Sequence, residues 1–424
     1  MTKQLPKNFL FLFWGEGVSH FLGFVVNAYI ARILGVDGFG LINYSLAFLT
    51  YLLLFNNMGL TTLGTREVAR DKNNLTIIGN IVGARLLLTV ILYILFSISL
   101  LIIYGNPLTK KLIVLYLITG LPNALYLEFV FQAREEMEFV SLGRIIQYAS
   151  YFVLILLFLK IKEQILTVPL VYLAACSLST IIVAFIYFRK YPGLKLCFKP
   201  INLYHTILQA LPIGLATIVY QSVINFPIIY LKISNGDMEA GFFSAGFKIM
   251  LFLLLVERII YYLFFPILSK RAKQPDEILK KSFILFSQLV LGITTFVGII
   301  CEIFAYKIVT LIYSSNFYQA TATFRILVLY FIIAPLTTIW GYGLIALNQE
   351  KKFFKVIIIT ALTNLILTII FGYIFKGIGV ALAIFIAEFF GLILMKQNLN
   401  SVINFSIIKI LNKNEIKAIF TEKT

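Results

Sequence analysis

Apolar residues in this chain gather into long runs separated by short polar clusters. A helix crossing the hydrocarbon of a bilayer needs about 20 mostly apolar residues. Twelve stretches meet that length, at roughly 8–32, 38–62, 77–104, 111–132, 138–160, 166–188, 206–231, 241–268, 282–312, 321–347, 353–375 and 378–396. The expected fold is therefore an all-α membrane protein of about twelve transmembrane helices. Connections are short. The longest contains "RKYPGLKLCFKP" (189–200), whose Pro and Gly residues break helix and divide the spans six and six. This predicts an N-terminal six-helix bundle over 1–190, a basic cytoplasmic linker over 191–205, a C-terminal bundle over 206–397 and a cytoplasmic tail over 398–424. Within the tail, "VINFSIIKILNKNEIKAIF" (402–420) has the spacing of an amphipathic helix lying on the inner leaflet. The first run is not read as a cleaved signal, because it is too long and Glu16 interrupts it.

The two halves resemble each other. "YIARILGVDGFGLINYSLAF" (29–48) leaves span one and enters span two, and "IYLKISNGDMEAGFFSAGFKIM" (229–250) does the same for spans seven and eight. Each carries a basic residue (Arg32, Lys232), an Asp (Asp37, Asp237), a Gly three or four residues on (Gly40, Gly241) and an aromatic-rich helix start. An even number of spans per half makes the copies point the same way. They are expected to be related by a pseudo-two-fold along the membrane normal, with a substrate path between them.

Composition agrees with a lipid-solvated chain. Of the 424 residues 60% are hydrophobic and 13% charged, where a soluble protein carries about 25% charged. Mean hydropathy is +0.94. The net charge of +17 would suggest nucleic acid in a soluble protein. Placing the N-terminus in the cytoplasm instead puts 24 Lys and Arg on inner segments and 7 on outer connections. That is a positive-inside pattern with both termini cytoplasmic, and it removes nucleic acid as a partner. The three cysteines, Cys176, Cys197 and Cys301, show neither a CxxC nor a metal-ligand spacing. No metal or cofactor is expected.

Charges inside the runs are the candidate chemistry, since each costs roughly 2.5–3.5 kcal/mol at mid-bilayer even on a lenient scale. Glu16 and His20 share one face of span one. An offset of 201 aligns His20 with Gln221, and Gln221 with Asn225 forms a matching polar pair in span seven. Glu257 and Arg258 stand side by side in "MLFLLLVERIIYYLFFPIL" (250–268), about 100° apart around the helix, so they do not simply pair. Arg85 lies in span three, Glu388 near the middle of span twelve, and Lys248, Lys307 and Arg325 nearer the outer side.

The stretch "YIARILGVDGFGLINYSLAFLTYLLLFNNMGLTTLGTREVAR" is similar to the opening of the polysaccharide-exporter family, the Wzx-type flippases of lipid-linked oligosaccharides. The "ARxLGxxGFG" turn, the "MGL" break and "TREVAR" carry the resemblance, and "DMEAGFFSAGFKI" looks like its second-half counterpart. The family shares a broad fold group with multidrug/toxin extruders and lipid II flippases. The resemblance implies two six-helix bundles with alternating access, in the bacterial inner membrane. It also implies an undecaprenyl-pyrophosphate-type oligosaccharide as substrate, with membrane lipids, a polysaccharide polymerase and chain-length machinery as partners.

A phosphate-bearing lipid needs guanidinium and ammonium groups. Arg258 and Arg85, helped by Lys248 and Arg325, are the candidates for the pyrophosphate, with Gln221 and Asn225 lining the same chamber. The competing reading is that these cations make helix-to-helix ion pairs, with Glu257 and Glu388 as partners. No GxxxxGK[ST] pattern occurs, so ATP hydrolysis is not the expected driving force. For coupling to a proton or sodium gradient the candidates are Glu16, Glu257 and Glu388, with His20 as a relay. Enzyme readings lack a Ser-His-Asp arrangement, a metal cluster and any sizeable outer loop. The main rival is a multidrug/toxin extruder for amphipathic cations, which should prefer acidic and aromatic walls to these intramembrane cations.

Overall fold

The computed structural model describes residues 4–71, 75–102, 106–191, 200–255, 257, 264, 268, 271 and 276–406. Linker positions 192–199, the tail from 407 with most of its expected amphipathic helix, and Arg258 lie outside them. The described residues are helical almost throughout and include no strand. Eight helical stretches among them are long and apolar enough to cross a bilayer. Helix is what lipid demands, because hydrocarbon offers backbone N–H and C=O groups no partners outside the segment.

Two compact units divide the chain, Met1–Lys232 and Ile233–Thr424. The first contains α1 (Gln4–Asn57), α2 (Leu60–Arg70), α3 (Leu75–Ile102), α4 (Pro107–Ile118), α5 (Gly120–Ala124), α6 (Glu128–Ala133), α7 (Met137–Phe158), α8 (Thr167–Lys190) and most of α9 (Pro200–Asn235). The second contains α10 (Asp237–Leu253), α11 (Asp276–Tyr313), α12 (Ala320–Ala346) and α13 (Glu350–Asn400). At 54 and 51 residues, α1 and α13 are each more than twice the length of one crossing. Each breaks once, α1 at Gly35 (φ 71°, ψ −173°) and α13 at Lys376 (φ 52°, ψ −133°).

Two local features differ from the sequence reading. The stretch "TREVAR", read as a loop, belongs to helix α2. Leu60, Leu63, Gly64 and Val68 form its buried stripe and Arg66 and Arg70 its exposed face, the pattern of an amphipathic helix. Span four, read as continuous, is interrupted. Gly120, Pro122 and Asn123 fall in its middle, α5 is only five residues long, and helix resumes at Glu128. Proline removes a backbone donor and clashes with the preceding turn, which together with Gly120 and Asn123 favours a break there.

In the first unit α1 packs on α7 and α4, and α7 packs on α8. Leu63, Val68, Ile81, Phe129, Phe131 and Tyr187 belong to one buried core. In the second unit α12 packs on α13, α11 and α10, around Phe283, Phe286, Trp340, Leu344 and Met395. The outer faces are apolar, as with Ile94, Leu95, Ile98 and Leu101 on α3. Polar groups turn inward: buried Asn56 donates through Nδ2 to Thr89 Oγ1 at 2.9 Å, and Thr89 donates to the Arg85 carbonyl at 2.7 Å. With lipid as solvent, polar groups bond to one another inside and hydrocarbon is left outside.

Candidate functional site

In the first unit the site starts from a close helix approach. A Cβ on Gly15 would stand 2.5 Å from Ser141 Cβ, so only glycine lets α1 lie this near α7. Ser141 Oγ fastens the contact by donating to the Phe11 carbonyl at 2.7 Å. One residue beyond Gly15 and three beyond Ser141 come Glu16 and Arg144. The guanidinium NH1 meets Glu16 Oε1 at 2.7 Å, and NH2 meets Glu128 Oε1 at 2.5 Å. Gln132 Nε2, one turn along α6, donates to the same Glu128 oxygen at 2.8 Å. One cation thus joins α1, α6 and α7, and all three charged side chains keep some exposure (Arg144 30%, Glu16 18%, Glu128 17%).

Arg85 holds this arrangement from below. It is 5% exposed. Its NH1 donates to the Tyr126 carbonyl at 3.1 Å, and its NH2 to the Asn123 carbonyl and Oδ1 at 2.6 and 3.0 Å. Both carbonyls lie where span four is interrupted, and the Asn123 carbonyl also accepts the Tyr126 N–H at 3.1 Å. Thr180 Oγ1 adds a bond to the Pro122 carbonyl at 3.1 Å. The guanidinium offered by the sequence to a pyrophosphate is thereby engaged with the chain's own backbone, and it fixes where Glu128 begins α6.

His20 is half-buried, one turn beyond Glu16 on α1. Gln221 and Asn225 are also half-buried, and Asn225 Nδ2 donates back to the Gln221 carbonyl at 2.9 Å.

In the second unit Glu388 lies within electrostatic range of Glu257. The Thr338 hydroxyl stands beside Glu257 and the Thr337 hydroxyl beside Glu388. Lys248 is half-buried on α10, and among the described residues it has no ion-pair partner. Arg325 is 55% exposed and reaches Glu302 Oε2 on α11 at 3.8 Å. Among the described residues no cluster of His, Cys, Asp and Glu could hold a metal ion.

Sequence reasoning missed Arg144, Glu128 and Gln132. Arg144 stands seven residues inside α7, close to the charged connection that precedes it. The available signal was the i,i+4 spacing of Glu128 and Gln132 after a Gly-Pro-Asn interruption.

Residues 5–272 match the polysaccharide biosynthesis protein family. An Escherichia coli (strain K12) protein named as an O-antigen transporter is 23% identical over 400 residues, 91% of this chain and 94% of the relative. Among solved structures, the lipid II flippase MurJ in an inward-closed conformation superposes with a TM-score of 0.74 at 17% identity, covering 97% of this chain and 90% of that one. An inward-facing multidrug resistance MATE family transporter of the MOP superfamily superposes with a TM-score of 0.70 at 14% identity, covering 91% and 95%. At such identities these structures speak for the fold alone. The family match extends over more than half of the sequence, and on that ground this multi-pass helical membrane protein belongs to the polysaccharide biosynthesis protein family.

Proposed function

We propose that this chain is a flippase that moves prenyl-pyrophosphate-linked oligosaccharide repeat units across the bacterial cytoplasmic membrane by alternating access, for surface polysaccharide synthesis. It transports and performs no covalent chemistry. The observation that carries the reading is membership of this family by a chain that keeps ionised side chains inside an apolar helical shell. The name of the O-antigen transporter relative supports the same class of substrate.

Finer features belong to the same proposal. The breaks at Gly35 and Lys376 turn two long helices into four crossings. Twelve crossings, six in 1–190 and six in 206–397, with both termini cytoplasmic, agree with the distribution of Lys and Arg. Lys248 and Arg258 are the cations we assign to the pyrophosphate, with Arg325 nearer the outer side. Arg85 we assign to the fold. Glu257 and Glu388 are the proposed coupling carboxylates for a proton or sodium gradient, with Glu16 and His20 as a second candidate pair. A polymerase and chain-length machinery are the expected consumers of the flipped unit.

The experiment is deletion of the gene, with surface polysaccharide and lipid-linked oligosaccharide assayed together. Loss of the polymer, with the lipid-linked unit stranded on the cytoplasmic leaflet, is the expected result. Intact polysaccharide with new sensitivity to cationic drugs would transfer the chain to multidrug export.

A further inference from the structure

The ion-bridged cluster of the first unit has hydrogen-bonding capacity left over, and its signs identify a ligand. A guanidinium carries five N–H donors. Among the described residues Arg144 spends two, on Glu16 and Glu128. Glu128 spends Oε1 on Arg144 and Gln132, and among the described residues its Oε2 accepts nothing. The Arg144 and Glu128 side chains keep 30% and 17% of their exposure. Unspent donors therefore stand next to an unspent acceptor in one cluster.

That combination suits neither ion class. A phosphate only accepts, and it would meet the repulsion of two carboxylates. An ammonium only donates, and it would meet Arg144. A neutral hydroxyl donates and accepts through one atom, and the vicinal hydroxyls of a sugar ring present several such atoms in a fixed row. The cluster is also pre-organised. Arg85 fixes the start of α6, and the Gly15–Ser141 approach fixes α7 against α1. Ordering costs are then met by the fold rather than by binding.

We propose that Glu128, Arg144 and Gln132 bind sugar hydroxyls, so that this cluster reads the glycan and not the pyrophosphate. The assignment rests on the flippase reading given above. It makes Glu128 a specificity residue, because a site built to bond a substrate hydroxyl rejects an analogue without it. Arg85 becomes a positioning residue acting through Glu128.

The test uses the full chain in lipid nanodiscs and two ligands: a prenyl pyrophosphate carrying an oligosaccharide, and the same prenyl pyrophosphate without sugar. Glu128→Gln keeps the shape. Its amide must turn oxygen toward Arg144 and NH2 outward, which replaces the free acceptor with a donor. The expected result is about ten-fold weaker binding of the glycosylated lipid, the loss of one charged hydrogen bond, with sugar-free binding unchanged. Gln132→Ala, a milder change that decides the matter should Glu128→Gln unfold, is expected to shift the same preference by a smaller factor. Equal weakening of both lipids would make the cluster a packing bridge or a phosphate site and overturn the assignment, as would unchanged binding of both. A wild-type chain that binds neither lipid would bring down the flippase reading itself. A wild-type preference for the glycosylated lipid that survives both substitutions removes only the cluster.

Discussion

Gly35 and Gly236 stand 201 residues apart and hold nearly the same backbone conformation, φ 71° and ψ −173° at the first, φ 91° and ψ −176° at the second. That region is open essentially to glycine alone. The same offset relates Gly40 to Gly241, and Arg32 with Lys232 and Asp37 with Asp237 are 200 apart, so the repeat seen in residue types extends, within one residue, to a backbone break. Gly35→Ala and Gly236→Ala should each destabilise the protein by about 1–3 kcal/mol. Position 236 isolates the backbone effect, because a Cβ there meets nothing within 4 Å. Thermal unfolding in detergent checks this, and an unchanged midpoint for Gly236→Ala would remove the strain argument.

A second glycine pair makes a contact between backbones. A Cβ on Gly214 of α9 would lie 2.3 Å from the Met58 carbonyl carbon, and one on Gly59 would lie 2.5 Å from the Ala210 carbonyl oxygen. Backbone atoms cannot rotate away as a side chain would. Gly214→Ala is therefore expected to separate α9 from the α1–α2 junction. In a Met58→Cys background, labelling by a thiol reagent should become faster. Labelling at the parental rate would mean that the helices slide without parting.

Arg85 separates two roles that the sequence could not. Arg85→Lys keeps the positive charge, but one ammonium cannot span the Asn123 and Tyr126 carbonyls together. The expected loss is about 1.5–3 kcal/mol for each charged hydrogen bond that is not replaced, seen as a lowered unfolding midpoint. Should the midpoint hold while transport fails, the guanidinium serves the pyrophosphate after all.

What the sequence made legible follows from where the information is local. Runs of hydrocarbon announce helices, and interior carboxylates such as Glu16, Glu257 and Glu388 stand out because apolar neighbours surround them. Glu128 and Arg144 were hidden for a different reason. Each lies near a charged connection, Arg144 six residues after Glu138 and Glu128 six before Arg134, so both pass for interfacial residues. Only the interruption of span four and the close approach at Gly15 turn them toward each other. Arg85 was visible as a buried cation, but most of its bonds go to main-chain carbonyls beside a helix interruption. No residue type marks those.

The acidic pair of the second unit gives the clearest functional prediction. Glu257 follows α10 and Glu388 lies within α13, yet Glu257 is within electrostatic range of Glu388, and each stands by one of two successive hydroxyls on α12, Thr338 and Thr337. Two carboxylates at close range in a low-dielectric setting repel unless a cation or proton joins them. A site that needs a cation to settle, on helices that must rearrange for transport, can tie one to the other. Glu388→Gln keeps the volume and the acceptor next to Thr337 while removing the repulsion. Its unfolding midpoint should therefore stay level or rise. In proteoliposomes, stimulation of lipid-linked oligosaccharide flipping by an imposed proton or sodium gradient should fall to background, while downhill exchange without a gradient continues. Testing the two gradients separately identifies the ion, because only the coupled one loses its effect. If Glu388→Gln responds to both gradients as the parent does, the carboxylate pair is a packing feature and coupling must be sought at Glu16 and His20.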